Sequence, residues 1–316
     1  MTEDLQHEGQ SMIRNRHGRR LGIASLLLLV SCAGREGTDD GPPQTEATEQ
    51  RGVECTSLLG RPLYAGEVDA PAFAAVNAKL ADNPDDLNLI FAKGLLLENA
   101  RRFTAAIALY SARLAEDPTN VTLLRRRGHR YINIREHAAA IADLEQAASL
   151  HTFKKVKALG YKENLHWAIW YYLGLAQALH GDLEAALVSF RESHAYSADK
   201  VALLASINWI HNLLRRLGRP QEASKVIAPI NEGMGYSGNY FKNILVYKGL
   251  KKESDVFDEG TAKGFVLGTM GYGMANWRRA SGDMEGAERL LRKVANSDAW
   301  HSNGVMAAEA ELARRN

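Results

Sequence analysis

The chain has 316 residues, two cysteines and a formal net charge of +2, with 46% hydrophobic and 24% charged residues. These values fit a soluble globular protein and leave out a disulfide framework and a cysteine-rich zinc site. They give no basis for nucleic-acid binding, because the nearest thing to a basic stripe, Lys154-Lys155-Val156-Lys157, is short.

The N-terminus reads as an address. Arg14, Arg16, Arg19 and Arg20 precede an apolar run from Leu21 to Val30, which is half the length a spanning helix needs. A positive flank, a short apolar stretch and a small residue at its end make a signal peptide over 1–31. Leu29-Val30-Ser31-Cys32 resembles the lipobox of bacterial lipoproteins. The resemblance implies a lipid (diacylglycerol and further acyl chains such as palmitate) on Cys32 and cleavage just before it. Ala33 follows where an aspartate would resemble an inner-membrane retention signal, so an outer-membrane anchor facing the periplasm is favoured. An ordinary secretory signal with an accidental cysteine is the alternative, and Met12 is an alternative start.

Residues 32–53 combine that cysteine with a polar stretch rich in Gly, Pro, Thr and Glu. Such a stretch buries too little surface to offset ordering entropy, and reads as a flexible tether with a reach of roughly 25 Å. An N-terminal helical segment follows over 54–86, with its helix at Ala70 to Ala81. Cys55, at its edge, reads as an inert thiol.

From residue 87 to 298 the chain repeats. Ile90, Gly94, Leu97, Ala106, Tyr110 and Pro118 stand 34 residues before Leu124, Gly128, Tyr131, Ala140, Leu144 and Thr152. A third copy has Trp170, Leu173, Gly174, Ala186 and Phe190. A fourth has Ile207, Leu214, Ala223 and Ile227, and a fifth Met274, Ala287 and Leu291. Apolar residues at three- and four-residue spacing give each unit two amphipathic helices. Gly94, Gly128 and Gly174 let those helices approach, and Gly181, Gly218 and Gly282 end first helices in the later copies.

These residues resemble the tetratricopeptide repeat family. The expected fold is all-α: a tetratricopeptide-like α-solenoid of antiparallel helix pairs, irregular near 235–260, with a C-terminal capping helix over 299–316 that closes the last unit. The frame departs from the family at Gln177 and Arg113, and its first-helix tryptophan is matched only by Trp170. An insert of about 12 residues precedes the third copy. The fold of 231–262 is left open.

No catalytic constellation emerges. Gly233 to Gly238 is a literal G-x-G-x-x-G, but a helix precedes it where a dinucleotide site needs a strand. No histidine pair has zinc-helix spacing with an intervening glutamate, so no metal and no cofactor is expected. Gly268, Gly271 and Gly273 fall in a helical pattern, where close packing explains them better than a phosphate cradle.

The family resemblance implies a ligand groove on the concave side made by first helices. The matching positions are Arg125, His129 and Asn133 in copy two, and Tyr171 in copy three. Copy four supplies Asn208, Asn212, Arg215 and Arg216, and copy five Tyr272, Asn276 and Arg279. Arginines and amides on one side of the array could hold an acidic or C-terminal carboxylate group of a protein segment. A solvated polar face without a specific ligand is the other reading. The expected role is a protein-binding or assembly scaffold held to the cell envelope through its lipid, not an enzyme. An enzyme or small-molecule sensor on the same array is the rival.

Overall fold

A computed structural model describes residues 52–151 and 164–315. The signal segment, Cys32, most of the tether and the Lys154 to Lys157 cluster lie outside the described residues. Two short strands, β1 (Val53–Thr56) and β2 (Pro62–Tyr64), form an antiparallel hairpin. Thirteen helices follow among the described residues. The first, α1 (Ala70–Asp82), stands alone. Four pairs come next: α2 (Leu87–Asn99) with α3 (Phe103–Glu116), α4 (Val121–Asn133) with α5 (His137–Leu150), α6 (Leu165–His180) with α7 (Leu183–Ala195), and α8 (Lys200–Arg216) with α9 (Pro220–Ile227). Then α10 (Asn239–Tyr247) stands without a second helix. The helix α11 runs through Gly264–Val266, Leu267–Gly271 and Tyr272–Ala280, and pairs with α12 (Met284–Ala295). The last helix is α13 (Asn303–Ala313). None of the described helices is long and apolar enough to cross a membrane.

Local chemistry explains where the helices start. Asp86, Asn120, Asn164 and Asp199 each place a side-chain oxygen on a backbone N–H in the first turn of α2, α4, α6 and α8. Each satisfies a donor that the helix leaves without a partner. The turns inside the pairs share another device, a residue with positive φ. In the later copies it is Gly181, Gly218 or Gly282, at φ of 116°, 72° and 93°. In the first two copies the same place holds Arg101 and Arg135, at 57° and 71°. A left-handed conformation costs a side-chain-bearing residue about 1–2 kcal/mol.

The pairs close through one packing rule. A Cβ added to Gly94 would lie 2.0 Å from the Tyr110 hydroxyl oxygen. One on Gly128 would lie 2.8 Å from Leu144, and one on Gly174 2.8 Å from Phe190. Each glycine thus receives a large residue from the facing helix. Successive pairs share this core: Phe190 stands edge-on to Tyr171 at 5.4 Å and stacks flat on Trp209 at 5.4 Å.

The regularity fails near 231–262. There α10 packs between α8 and α11, and a loop that buries Phe257 takes the place of a second helix. The expected helical segment over 54–86 begins at Ala70, and the hairpin precedes it. Ser57 nucleates the hairpin turn by accepting from the Arg61 N–H at 3.0 Å. Leu63 then packs with Phe103 and Trp300, which ties the hairpin to the chain's far end.

The middle of α11 is π-helical over Leu267–Gly271. A Cβ on Gly304 of α13 would sit 1.9 Å from the Gly268 carbonyl oxygen, so two glycines let α11 and α13 cross backbone to backbone. The close packing expected for the α11 glycines is therefore present.

The strained turns generate a contrast. Replacing Arg101→Gly removes a left-handed side chain, and should raise stability by ~1 kcal/mol in chemical denaturation. Arg135→Gly relieves the same strain and should nevertheless lower stability, because its guanidinium is committed elsewhere.

Candidate functional site

The last helix, α13, lies against two first helices, α6 and α11, and against α12. Every residue from Gly304 to Leu312 is buried, so this helix has no solvent face along that stretch. As the expected closing helix, α13 covers the last unit through α11 and α12, and it also reaches back to α6.

Charged groups hold it there. Glu309 is 0% exposed, and Arg135 grips it with Nε at 3.0 Å and Nη2 at 2.8 Å from both carboxylate oxygens. The same Nη2 donates to the Trp300 carbonyl at 2.9 Å. Arg61 of the hairpin lies 3.8 Å from Glu309, and donates to the carbonyls of Ala295, Asn296 and Ser297 at 3.2 Å each. Burial raises the Glu309 pKa, and Arg135 pulls against it. Two residues further on, Glu311 pairs with Arg279 and Arg315. Arg314 donates to the Leu179 carbonyl at 2.7 Å, at the C-terminus of α6, where a cation complements the helix dipole.

The residues expected to line the groove fall into three groups. Arg125, His129 and Asn133 of α4 and Tyr171 of α6 surround the start of α13. His129 stacks on Tyr172 with ring centroids 3.7 Å apart, and Arg125 lies over the same ring at 6.0 Å. Asn133 donates to the His301 carbonyl at 3.3 Å and touches Met306 of α13. The Tyr171 hydroxyl accepts from Trp209 at 2.9 Å and from Asn303 at 3.3 Å, joining α8 and α13. The second group locks α8 to α11 and α13. Arg215 donates to the Ala280 carbonyl at 3.0 Å and Arg216 to the Tyr272 hydroxyl at 3.2 Å, while Arg279 takes Glu311; Asn276 donates within α11, to the Tyr272 carbonyl at 2.9 Å. The third pair, Asn208 and Asn212, is buried beside Tyr247 of α10, whose hydroxyl donates to Asn208 at 3.3 Å. These positions therefore hold the chain's own helices. Sequence reasoning missed Arg135, Arg61, Glu309 and Glu311. The one available signal was an arginine standing where later copies have a turn glycine.

Beside the start of α13 a cavity of about 530 Å³ remains, bounded by α2, α3, α4, α6, α10, α11, the loop before α13 and its first residue. His129 and His301 stand in its wall. Burial holds the His129 pKa well below the ordinary histidine value, and Arg130, Arg125 and Arg126 add to this. His301 is lowered to about 4 by burial, then by Arg101, Arg130 and Arg135. Because a guanidinium only donates, the Arg130 contact makes His129 Nδ1 an acceptor and leaves the proton on Nε2. The G-x-G-x-x-G stretch lies apart from the cavity, in a turn over Glu232–Met234 and the loop into α10. A helix precedes it, so it does not have the strand-to-helix setting of a dinucleotide site.

No family model matches this chain, and no curated protein matches it. Among solved structures, the crystal structure of MamA is similar over 64% of this chain and 91% of its own, at 16% identity and a TM-score of 0.38.

Two outcomes follow from the buried charges. Glu309→Ala leaves Arg135 without its partner, and should cost about 3–5 kcal/mol in urea unfolding. His137, His211 and His301 have folded pKa values of about 4, against 6.5 when unfolded. The unfolded chain then binds more protons between these values, so stability should be full above pH 6.5 and fall as pH drops toward 4. Urea midpoints at pH 7.5, 6 and 4.5 should decline in that order.

Proposed function

We propose that this chain is a protein-binding scaffold, held to the bacterial cell envelope by a lipid on Cys32, whose first-helix face takes a helical segment bearing carboxylates. One observation carries the reading: that face already holds a helix, α13, through the Arg135–Glu309 and Arg279–Glu311 pairs. Its chemistry therefore suits a small-residue helix with acidic groups a turn or less apart. A partner segment of that kind competes with α13 for the same arginines and amides. The membrane the chain is held to is most simply the outer one, on its periplasmic side. Multiple acyl chains on one cysteine give stable anchoring, where a single chain is marginal.

The competition can be measured by affinity capture from native envelopes. Glu311→Gln weakens the hold on α13 and should increase recovery of a stoichiometric protein partner. Asn212→Ala combined with Arg216→Ala should lose that partner. Equal recovery from all three proteins would overturn the assignment of the face. Separately, Cys32→Ala should abolish acyl labelling and membrane retention, and persistence of both would overturn the anchor.

A further inference from the structure

The cavity beside α13 has features of a site built for a small molecule. Its volume of about 530 Å³ lies within the range of ligand pockets, which are mostly apolar with a few placed polar groups. Phe103, Tyr172, Tyr240 and Phe265 supply flat apolar walls. Phe265 is 57% exposed and stands edge-on to His301 at 5.0 Å, which puts an aromatic rim at the solvent side.

The polar groups in the wall are buried and incompletely matched. Asn133 is 2% exposed and Ser302 4%, and Asn133 Oδ1, Ser302 Oγ, His301 Nδ1 and Arg130 Nε have no hydrogen-bond partner among the described residues. Buried polar atoms without partners cost about 1–3 kcal/mol each, so a ligand that reaches them recovers that cost. Ser302 is also the N-cap of α13, and its side chain makes no cap bond. The first N–H groups of that eleven-residue helix, together with its dipole, favour an anion at this end.

Charge points the same way. Arg101, Arg125, Arg126 and Arg130 act on the two histidines of the wall. The acid in the wall, Glu98, already accepts from Tyr110 at 2.7 Å and lies 3.5 Å from Arg130 and 3.7 Å from Arg126. The surplus is positive, yet Glu98 would repel a dianion placed beside Arg130. A single negative charge is the better fit.

We propose that the cavity bounded by Arg130, Asn133, Ser302 and Phe265 binds a small organic monocarboxylate with a flat apolar body. The carboxylate lies toward Arg130, Ser302 and the start of α13, and the apolar body lies among the aromatic rings. This goes beyond the scaffold reading and does not depend on it, since Glu309, Glu311 and Arg279 lie outside the cavity wall.

Calorimetric titration of the purified full chain tests the proposal with three probes: phenylacetate, the neutral phenylacetamide and phenylphosphate. Phenylacetate should bind saturably at one site, at least about tenfold more tightly than phenylacetamide, a difference of about 1.4 kcal/mol. Phenylphosphate should bind more weakly than phenylacetate. Arg130→Gln should weaken phenylacetate about tenfold and leave phenylacetamide unchanged. Phe265→Ala, at an exposed position that folding does not rely on, should weaken both several-fold. Equal affinity for phenylacetate and its amide, tighter binding of phenylphosphate, or no saturable binding of phenylacetate would overturn the proposal. The amide comparison on the unaltered chain stands even where Arg130→Gln fails to fold.

Discussion

A carboxylate shut away from water must be matched by charge and hydrogen bonds, or its burial destabilises the fold by several kcal/mol. Glu309 meets that condition through Arg135, with Arg61 and the Leu58 backbone completing its surroundings. This one pair joins the hairpin, the turn of the second helix pair and the last helix, which lie far apart in sequence. The rest of the arrangement depends on it. With Glu309 seated, α13 lies against α6 and α11, Trp300 reaches Phe103 at 5.5 Å, and Leu63 packs onto both.

The same pair explains an otherwise costly turn. Arg135 occupies a left-handed position that three later copies give to glycine. Glycine would be easier on the backbone but could not reach Glu309. The strain is local, and the recovered interaction is long-range. Arg101 has the same backbone conformation at the matching place in the first copy, without a buried carboxylate pair of its own. Two residues of one type in one conformation are thus separated by what their side chains hold. The path of α13 also defines the cavity, since its unbonded N-cap and the π-helical stretch of α11 that crosses it both stand in the wall.

The helix pairs were legible in the sequence because they rest on local rules. Turn glycines and the Gly94–Tyr110 type of contact recur in the same order from copy to copy, 34 residues apart in the first two, so one copy announces the next. The irregular stretch near 235–260 was legible as a break in that spacing. The hairpin was not, because β1 and β2 are four and three residues long and carry little alternation. Nor was the seat of α13. Its Asn-Gly-Val-Met-Ala-Ala-Glu-Ala-Glu-Leu-Ala sequence reads as a closing terminal helix, with no sign of what its acids meet. Only a partner 174 residues away turns Glu309 into a buried group. For the same reason the polar residues of the first helices looked like a ligand-facing surface, whereas Tyr171, Asn133 and Arg279 bond to the chain's own last helix.

The seating of Glu309 makes the last helix an integral part of the array. Amide hydrogen exchange along the full chain measures it directly, because exchange reports local opening element by element. With α13 integral to the array, amides from Ala307 to Leu312 are protected to the same degree as those in the middle of α6. Exchange of that segment at the rate of an unfolded terminus, with α4 and α6 still protected, would contradict it.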